Sequence, residues 1–219
     1  MNEIIEVMLC CRLFSGLTTE ELSGLLERVD YQLVDYSRGD YLMREDSPYP
    51  YMSVILSGTI EIHRVLESGN NLCIELRERG EVFGGAVAFA EEGKKAECDI
   101  IARTKTQVLR IPRADVYEIL AYYPRVNQNI TRLFSERVLS FQQRLELLSY
   151  SSIRKKIFYY CRNILRPDED GSLRLSLSKS KWAEYMNVSR PSLMRELRVL
   201  ENEQLLSIEK DGLLVINSE

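Results

Sequence analysis

Histidine is almost missing from this sequence: His63 is the only one in 219 residues. A zinc site built on imidazoles is therefore not expected, and the five cysteines, Cys10, Cys11, Cys73, Cys98 and Cys161, contain no CxxC pair that could replace them. Their spacing also suits an iron–sulfur cluster poorly. No apolar run approaches the ~20 residues that a membrane span needs. The opening "MNEIIEVMLC" lacks the basic start of a secretory signal. The chain is expected in the cytoplasm, without membrane association and with its thiols reduced. Nucleophile elbows, Walker loops, paired catalytic carboxylates and metal-ligand spacings are all absent, so no enzyme activity, catalytic residue, metal or cofactor is expected. Internal repeats and low-complexity segments are absent too.

The net charge of −4 argues at first against a nucleic-acid partner, but its distribution is uneven. Residues 1–149 carry 17 Lys/Arg and 23 Asp/Glu, net −6, while residues 150–219 carry 12 and 10, net +2. An acidic front and a mildly basic tail suggest two modules with different partners.

Helical spacing in "NEIIEVMLCCRLF" and "LTTEELSGLLERV" opens the chain, with Thr18 and Glu21 forming a capping box before the second helix. From Tyr31 short runs rich in Val, Ile, Leu and Tyr alternate with turn signals such as "RGD", "SPYP", "SGT" and "SGNN". That pattern predicts an antiparallel sandwich or barrel. "CDIIARTKTQVLRIP" adds two strands, and Pro112 closes the β region. "RADVYEILAYY" reads as a short helix ended by Pro124, and a long helix then runs from about Val126 to Ser149. On it Phe134, Val138, Phe141, Leu145 and Leu148 follow 4-3-4-3 spacing, an a/d seam that suits pairing with a second copy. The same stripe could instead pack on the chain's own β domain.

Ser152 can cap a helix "IRKKIFYYCRNIL", and "RPDEDGS" reads as a loop turning at Gly171. In the tail, Ser178 can cap a helix with Trp182, Ala183 and Met186 on its inner face. "MNVS" is a polar turn, and Ser189 caps a second helix from Arg190 to about Asn202, with Pro191 in its first turn. Leu193, Leu197 and Leu200 make its inner face and leave Arg190, Ser192, Arg195 and Arg198 outside. "LLSIEKDGLLVIN" reads as a two-stranded wing around an Asp-Gly type I′ turn. The parts make a winged helix-turn-helix. A helix fits the major groove, where arginine pairs with guanine O6 and N7. Ser178, Lys179 and Ser189 stand at helix starts, where they can meet phosphates.

Taken in order, "VILSGTIEI", "GEVFGGAVAF", "VLRIPR", the long helix and "WAEYMNVSRPSLMRELRVLE" resemble the CRP/FNR family of transcription regulators over nearly the whole chain. The resemblance implies an α+β fold. An N-terminal antiparallel β-roll sensor like a cyclic-nucleotide-binding domain would span 1–123, a dimerisation helix 124–150, and a C-terminal winged helix-turn-helix 151–219. It implies a homodimer that binds two-fold, double-stranded DNA sites, contacts RNA polymerase and responds allosterically to an effector. Arg190 and Arg195 match the family's two base-reading arginines, and Pro191 stands where a glutamate would be. Ser192 follows and could touch phosphate or base.

The effector pocket implied by the family comprises Gly84, Gly85, Ala86, Lys95, Glu97, Phe141 and Gln142. Gly84 matches the corner glycine, but Gly85 replaces the ribose-holding glutamate, and an arginine–serine pair for the cyclic phosphate is replaced near Lys95-Ala96-Glu97. Phe141 and Gln142 replace small hydroxyl residues that meet the purine. The expectation is a small-molecule effector other than cyclic AMP. A cyclic-nucleotide-responsive regulator and a thiol-based redox sensor are the alternatives.

Overall fold

Apolar residues spaced for a helix at the start of the chain give way after Val29 to residues alternating for a sheet, and the fold changes with them. The computed structural model describes residues 2–65, 71–90, 94–169, 171–175, 177–209 and 212–216. The chain divides into two compact units, Met1–Phe134 and Ser135–Glu219.

In the first unit, helix α1 (Asn2–Cys10) stops where the backbone of Cys11 becomes extended. A 3-10 turn, Arg12–Phe14, follows and buries Leu13 and Phe14 completely. The helical reading through Phe14 is thus corrected by packing: the break lets α1 and the turn face one core. Helix α2 (Thr19–Arg28) begins with the expected capping box, in which Glu21 N–H donates to Thr18 Oγ1 at 3.2 Å and Thr18 N–H donates to Glu21 Oε2 at 2.7 Å.

The strands are β1 (Gln32–Tyr36), β2 (Tyr41–Met43), β3 (Tyr51–Ser57), β4 (Thr59–Val65), β5 (Asn71–Glu78), β6 (Val82–Phe83), β7 (Asp99–Ala102) and β8 (Thr106–Pro112). They form two antiparallel four-stranded sheets, ordered β1-β8-β3-β6 and β2-β7-β4-β5. Side chains alternate across the first sheet. Met52, Val54, Leu56, Leu109 and Ile111 join α1, α2 and the helices that follow β8 in one core. Ile55, Phe83 and Val108 face the second sheet's Leu42, Ile60, Ile62 and Ile100 in another. A sheet buried on both faces explains why β3 reads as a continuous apolar run.

Helix α3 (Gly85–Phe89) lies between β6 and β7, and α4 (Arg113–Tyr122) follows β8. Helix α5 spans Pro124–Ser149, two residues earlier than the periodicity indicates. Proline lacks only an N–H that needs no partner in the first turn, so Pro124 starts this helix. The buried Asn129 ties α5 to the 3-10 turn, donating to the carbonyls of Leu13 at 3.0 Å and Ser15 at 2.9 Å.

In the second unit Ser152 caps α6 (Ile153–Tyr159), whose expected single helix instead passes into a π-helical turn, Tyr160–Ile164. Helices α7 (Lys179–Tyr185) and α8 (Arg190–Asn202) follow. The wing has three strands, not two. Strands β10 (Leu206–Ile208) and β11 (Leu213–Ile216) pair, and β9 (Leu173–Arg174), directly after the expected loop, joins β11. Two residues are too few for alternation to register. Asp211 of the expected Asp-Gly turn lies outside the described residues. Gly212, at φ +85°, donates to the Glu209 carbonyl at 3.0 Å, and Ile208 pairs with Leu214.

Candidate nucleic-acid interface and effector corner

The core of the second unit determines which residues of α7 and α8 remain outside. Trp182, Ala183 and Met186 on the α7 side and Leu193, Leu197 and Leu200 on α8 are buried together with Leu147, Ile157 and Tyr160. Ser178 Oγ accepts from Lys181 N–H at 3.3 Å, and Ser189 Oγ accepts from Ser192 N–H at 3.2 Å, so both expected caps are formed. Between the helices, Asn187 takes a left-handed φ of 51°. Val188 N–H donates to the Ala183 carbonyl and Asn187 N–H to the Glu184 carbonyl, each at 3.0 Å, which makes a Schellman closure. Gln204 (φ 58°) ends α8 in the same way, through Leu205 N–H to Leu200 and Gln204 N–H to Glu201.

Arg190, Arg195 and Arg198 are exposed, and among the described residues no ion pair engages them. Ser178, Lys179, Ser189 and Pro191 are exposed as well. Ser192 is half-buried, with its Oγ 2.8 Å from Ser189 Oγ. A short hydroxyl in the first turn of a helix is drawn back to the cap.

Two cations on α6 escaped the sequence reading. Lys156 is 8% exposed and donates through Nζ to the Met186 carbonyl at 3.0 Å, where α7 ends. Arg154 places Nε 2.9 Å from Glu196 and Nη1 2.8 Å from Glu203, bridging to α8 and its C-cap. Lys156 had a signal, since it occupies an inward position between Ile153, Ile157 and Tyr160. Arg154 had none, because its partners are 42 and 49 residues away.

Along α5 the seam residues are exposed within the chain: Val138 by 55%, Phe141 by 56% and Leu145 by 69%, with Phe134, Leu139 and Leu148 also open. Phe134, the first of them, meets Phe89 edge-on with ring centres 5.9 Å apart.

"GEVFGGAVAF" combines a strand, β6, with the short helix α3. Gly84 joins them at φ +80°, and a Cβ there would come within 2.6 Å of the Tyr49 ring and the Tyr51 carbonyl, so only glycine fits. A Cβ on Gly85 would sit 3.4 Å from the Phe134 ring. Ala86, Lys95 and Glu97 are exposed. Glu97 is 2.7 Å from Lys94 Nζ, and Lys95 pairs through its backbone with Pro48. The corner glycines thus stand together, but the pair Lys95 and Glu97 is turned outward. Phe141 and Gln142 belong to the second unit, where both are exposed.

Burial raises the Cys11 thiol to about 11 and the Cys161 thiol to about 12, which keeps both protonated at neutral pH. No group of three or more metal-ligating side chains occurs among the described residues, and no described helix is long and apolar enough to cross a membrane.

Residues 33–123 match the family model described as a cyclic nucleotide-binding domain. Over 195 residues the chain is 23% identical to the global nitrogen regulator of Synechococcus elongatus, covering 87% of this chain and 88% of that one. Over 196 residues it is 24% identical to the cyclic AMP receptor protein of Thermus thermophilus, covering 90% and 88%. Its fold is that of the Thermus thermophilus catabolite activator protein, with a TM-score of 0.58, 21% identity and 94% and 93% coverage. The OCPA-complexed CprK gives a TM-score of 0.67 at 14% identity, with 90% and 92% coverage.

Proposed function

Because the chain belongs to the CRP/FNR family of transcription regulators, we propose that it works as a homodimer that reads a two-fold DNA site and answers to an effector other than cyclic AMP. The observation that carries the DNA reading is the outer face of α8. Arg190, Arg195 and Arg198 stand exposed and, among the described residues, without ion pairs on a capped helix whose opposite face is buried. Guanidinium groups free of internal carboxylates can pair with guanine O6 and N7, while Ser178, Lys179 and Ser189 can hold phosphates. Pro191 offers no acceptor for cytosine N4, so the half-site differs from that of relatives with glutamate there. The exposed stripe of α5 is the surface on which two copies would pair. RNA polymerase is the further partner in this reading.

Against cyclic AMP stand Gly85, which has no carboxylate for a ribose, and the corner segment's lack of a described arginine. The raised thiols of Cys11 and Cys161 weigh against a redox switch at those two positions.

Selection of bound DNA from a random pool, with and without cyclic AMP, tests the reading. Enrichment of an inverted repeat is expected, with cyclic AMP changing nothing. Arg195→Ala should cost about 1–3 kcal/mol of specific binding while leaving the dimer folded. Undiminished specific binding by that variant, or micromolar affinity for cyclic AMP, contradicts the corresponding half of the proposal.

A further inference from the structure

The interior face of the first sheet carries a cation that no acid pairs with among the described residues. Arg110 on β8 lies opposite Ser53 of β3 and Gln32 of β1 in the ladder. Its guanidinium carbon is 5.5, 5.4 and 5.5 Å from the ring centres of Tyr36, Tyr49 and Tyr51. Among the described residues its hydrogen bonds leave from Nη2, one to Tyr36 Oη and one to the Leu42 carbonyl at 3.2 Å. Among the described residues Nε is buried without an acceptor and no ion pair joins the group to a carboxylate. Burial raises the phenols of Tyr36 and Tyr49, the latter to about 12, so neither serves as a phenolate counter-charge. A guanidinium withdrawn from water normally finds an anion, because ring faces and neutral oxygens balance only part of its charge.

The surroundings are aromatic and partly open. Tyr49 and Ser53 are buried and hydrogen-bonded to each other at 2.7 Å, which fixes one wall. Arg110, Tyr36 and Tyr51 are half-buried, which leaves the cluster partly open. Tyr49 is also the ring against which Gly84 packs, so the cluster adjoins the effector corner. The described part of the corner segment has no guanidinium. Arg110 brings one to the same tyrosine from another strand.

We propose that Arg110, framed by Tyr36, Tyr49 and Tyr51, is the anchor for the carboxylate of a small organic monoanion. The inference deepens the effector reading above and rests on it for its regulatory meaning. One cation surrounded by neutral phenols matches one negative charge. Every cation–ring contact to these three tyrosines among the described residues comes from Arg110, so a phosphate dianion would leave charge uncompensated. The rings give an aryl or alkyl body a surface to lie on.

The test is calorimetric titration of the full chain with benzoate and, separately, inorganic phosphate at constant ionic strength and without DNA. Saturable benzoate binding is expected, weakened about ten-fold or more in Arg110→Met and less in Arg110→Lys. Circular dichroism checks that the variants fold. If neither does, 15N resonances of arginine Nε in the unmodified chain decide, because benzoate should move that of Arg110. No saturable benzoate binding, equal binding by folded Arg110→Met, tighter binding of phosphate, or an unmoved resonance overturns the proposal. Because DNA is absent from the titration, failure of the DNA reading would leave this result interpretable, and failure here would leave the DNA reading intact.

Discussion

Gly84 is the residue on which the corner depends. Its φ of +80° and the 2.6 Å approach of a hypothetical Cβ to Tyr49 and the Tyr51 carbonyl act together, since neither backbone nor ring can yield independently. Gly84→Ala should lower stability by about 1–3 kcal/mol, visible as a lower urea midpoint with an unchanged slope. The thiols give a second prediction at this scale. Cys11 and Cys161 keep their protons to about pH 11 and 12 when folded, but ionise near 9.0 when exposed. Above pH 9 the unfolded chain therefore loses protons first, and stability falls as pH rises, by about 1.4 kcal/mol per pH unit for each thiol. Replacing both by Ala or Val should flatten that limb in urea titrations at pH 9–10.5. Alkylation of the native chain at neutral pH, followed by mass spectrometry, should modify the exposed Cys10 well before Cys11 or Cys161.

Among the elements, α5 and α8 carry opposite kinds of exposure. The stripe Phe134–Leu148 is apolar and open, a state that water penalises by roughly 25 cal/mol for each Å². A charge on it should be tolerated by the folded chain and not by a pair of chains. Leu145→Glu is expected to shift sedimentation from dimer toward monomer while leaving the circular dichroism spectrum intact, and a monomeric unmodified protein would remove the basis for the seam. The outer face of α8 is instead cationic, held out by its own leucines. Both faces were legible in the sequence, because amphipathic spacing over more than three turns outweighs local detail. Shorter features were not. Strand β9 has two residues, the π-helical turn of Tyr160–Ile164 has no compositional mark, and the contact of the Ser192 hydroxyl with Ser189 is one that periodicity does not register.

Across the molecule, the two compact units have separate cores and one tryptophan between them. Trp182 is fully buried in the second unit, beside Tyr160. Its fluorescence should therefore follow unfolding of that unit, while circular dichroism follows both. Leu109→Ala, in the core of the first unit, should cost about 2–5 kcal/mol there and move the dichroism midpoint more than the fluorescence midpoint. Coincident shifts of equal size would mean that the units unfold as one.

Much of this protein follows from residue order alone. Caps at Thr18, Ser152, Ser178 and Ser189, the change from helical to alternating period after Val29, and the leucine face of α8 each depend on neighbours within a few positions. Tertiary structure decided what depends on distant partners. It turned Lys95 and Glu97 outward, set Lys156 on the end of α7 and clasped Arg154 to two glutamates. It also enclosed Arg110 among tyrosines 59 to 74 positions away. Local rules count side chains along one helix or strand. Where a charge ends up depends on which elements fold against it.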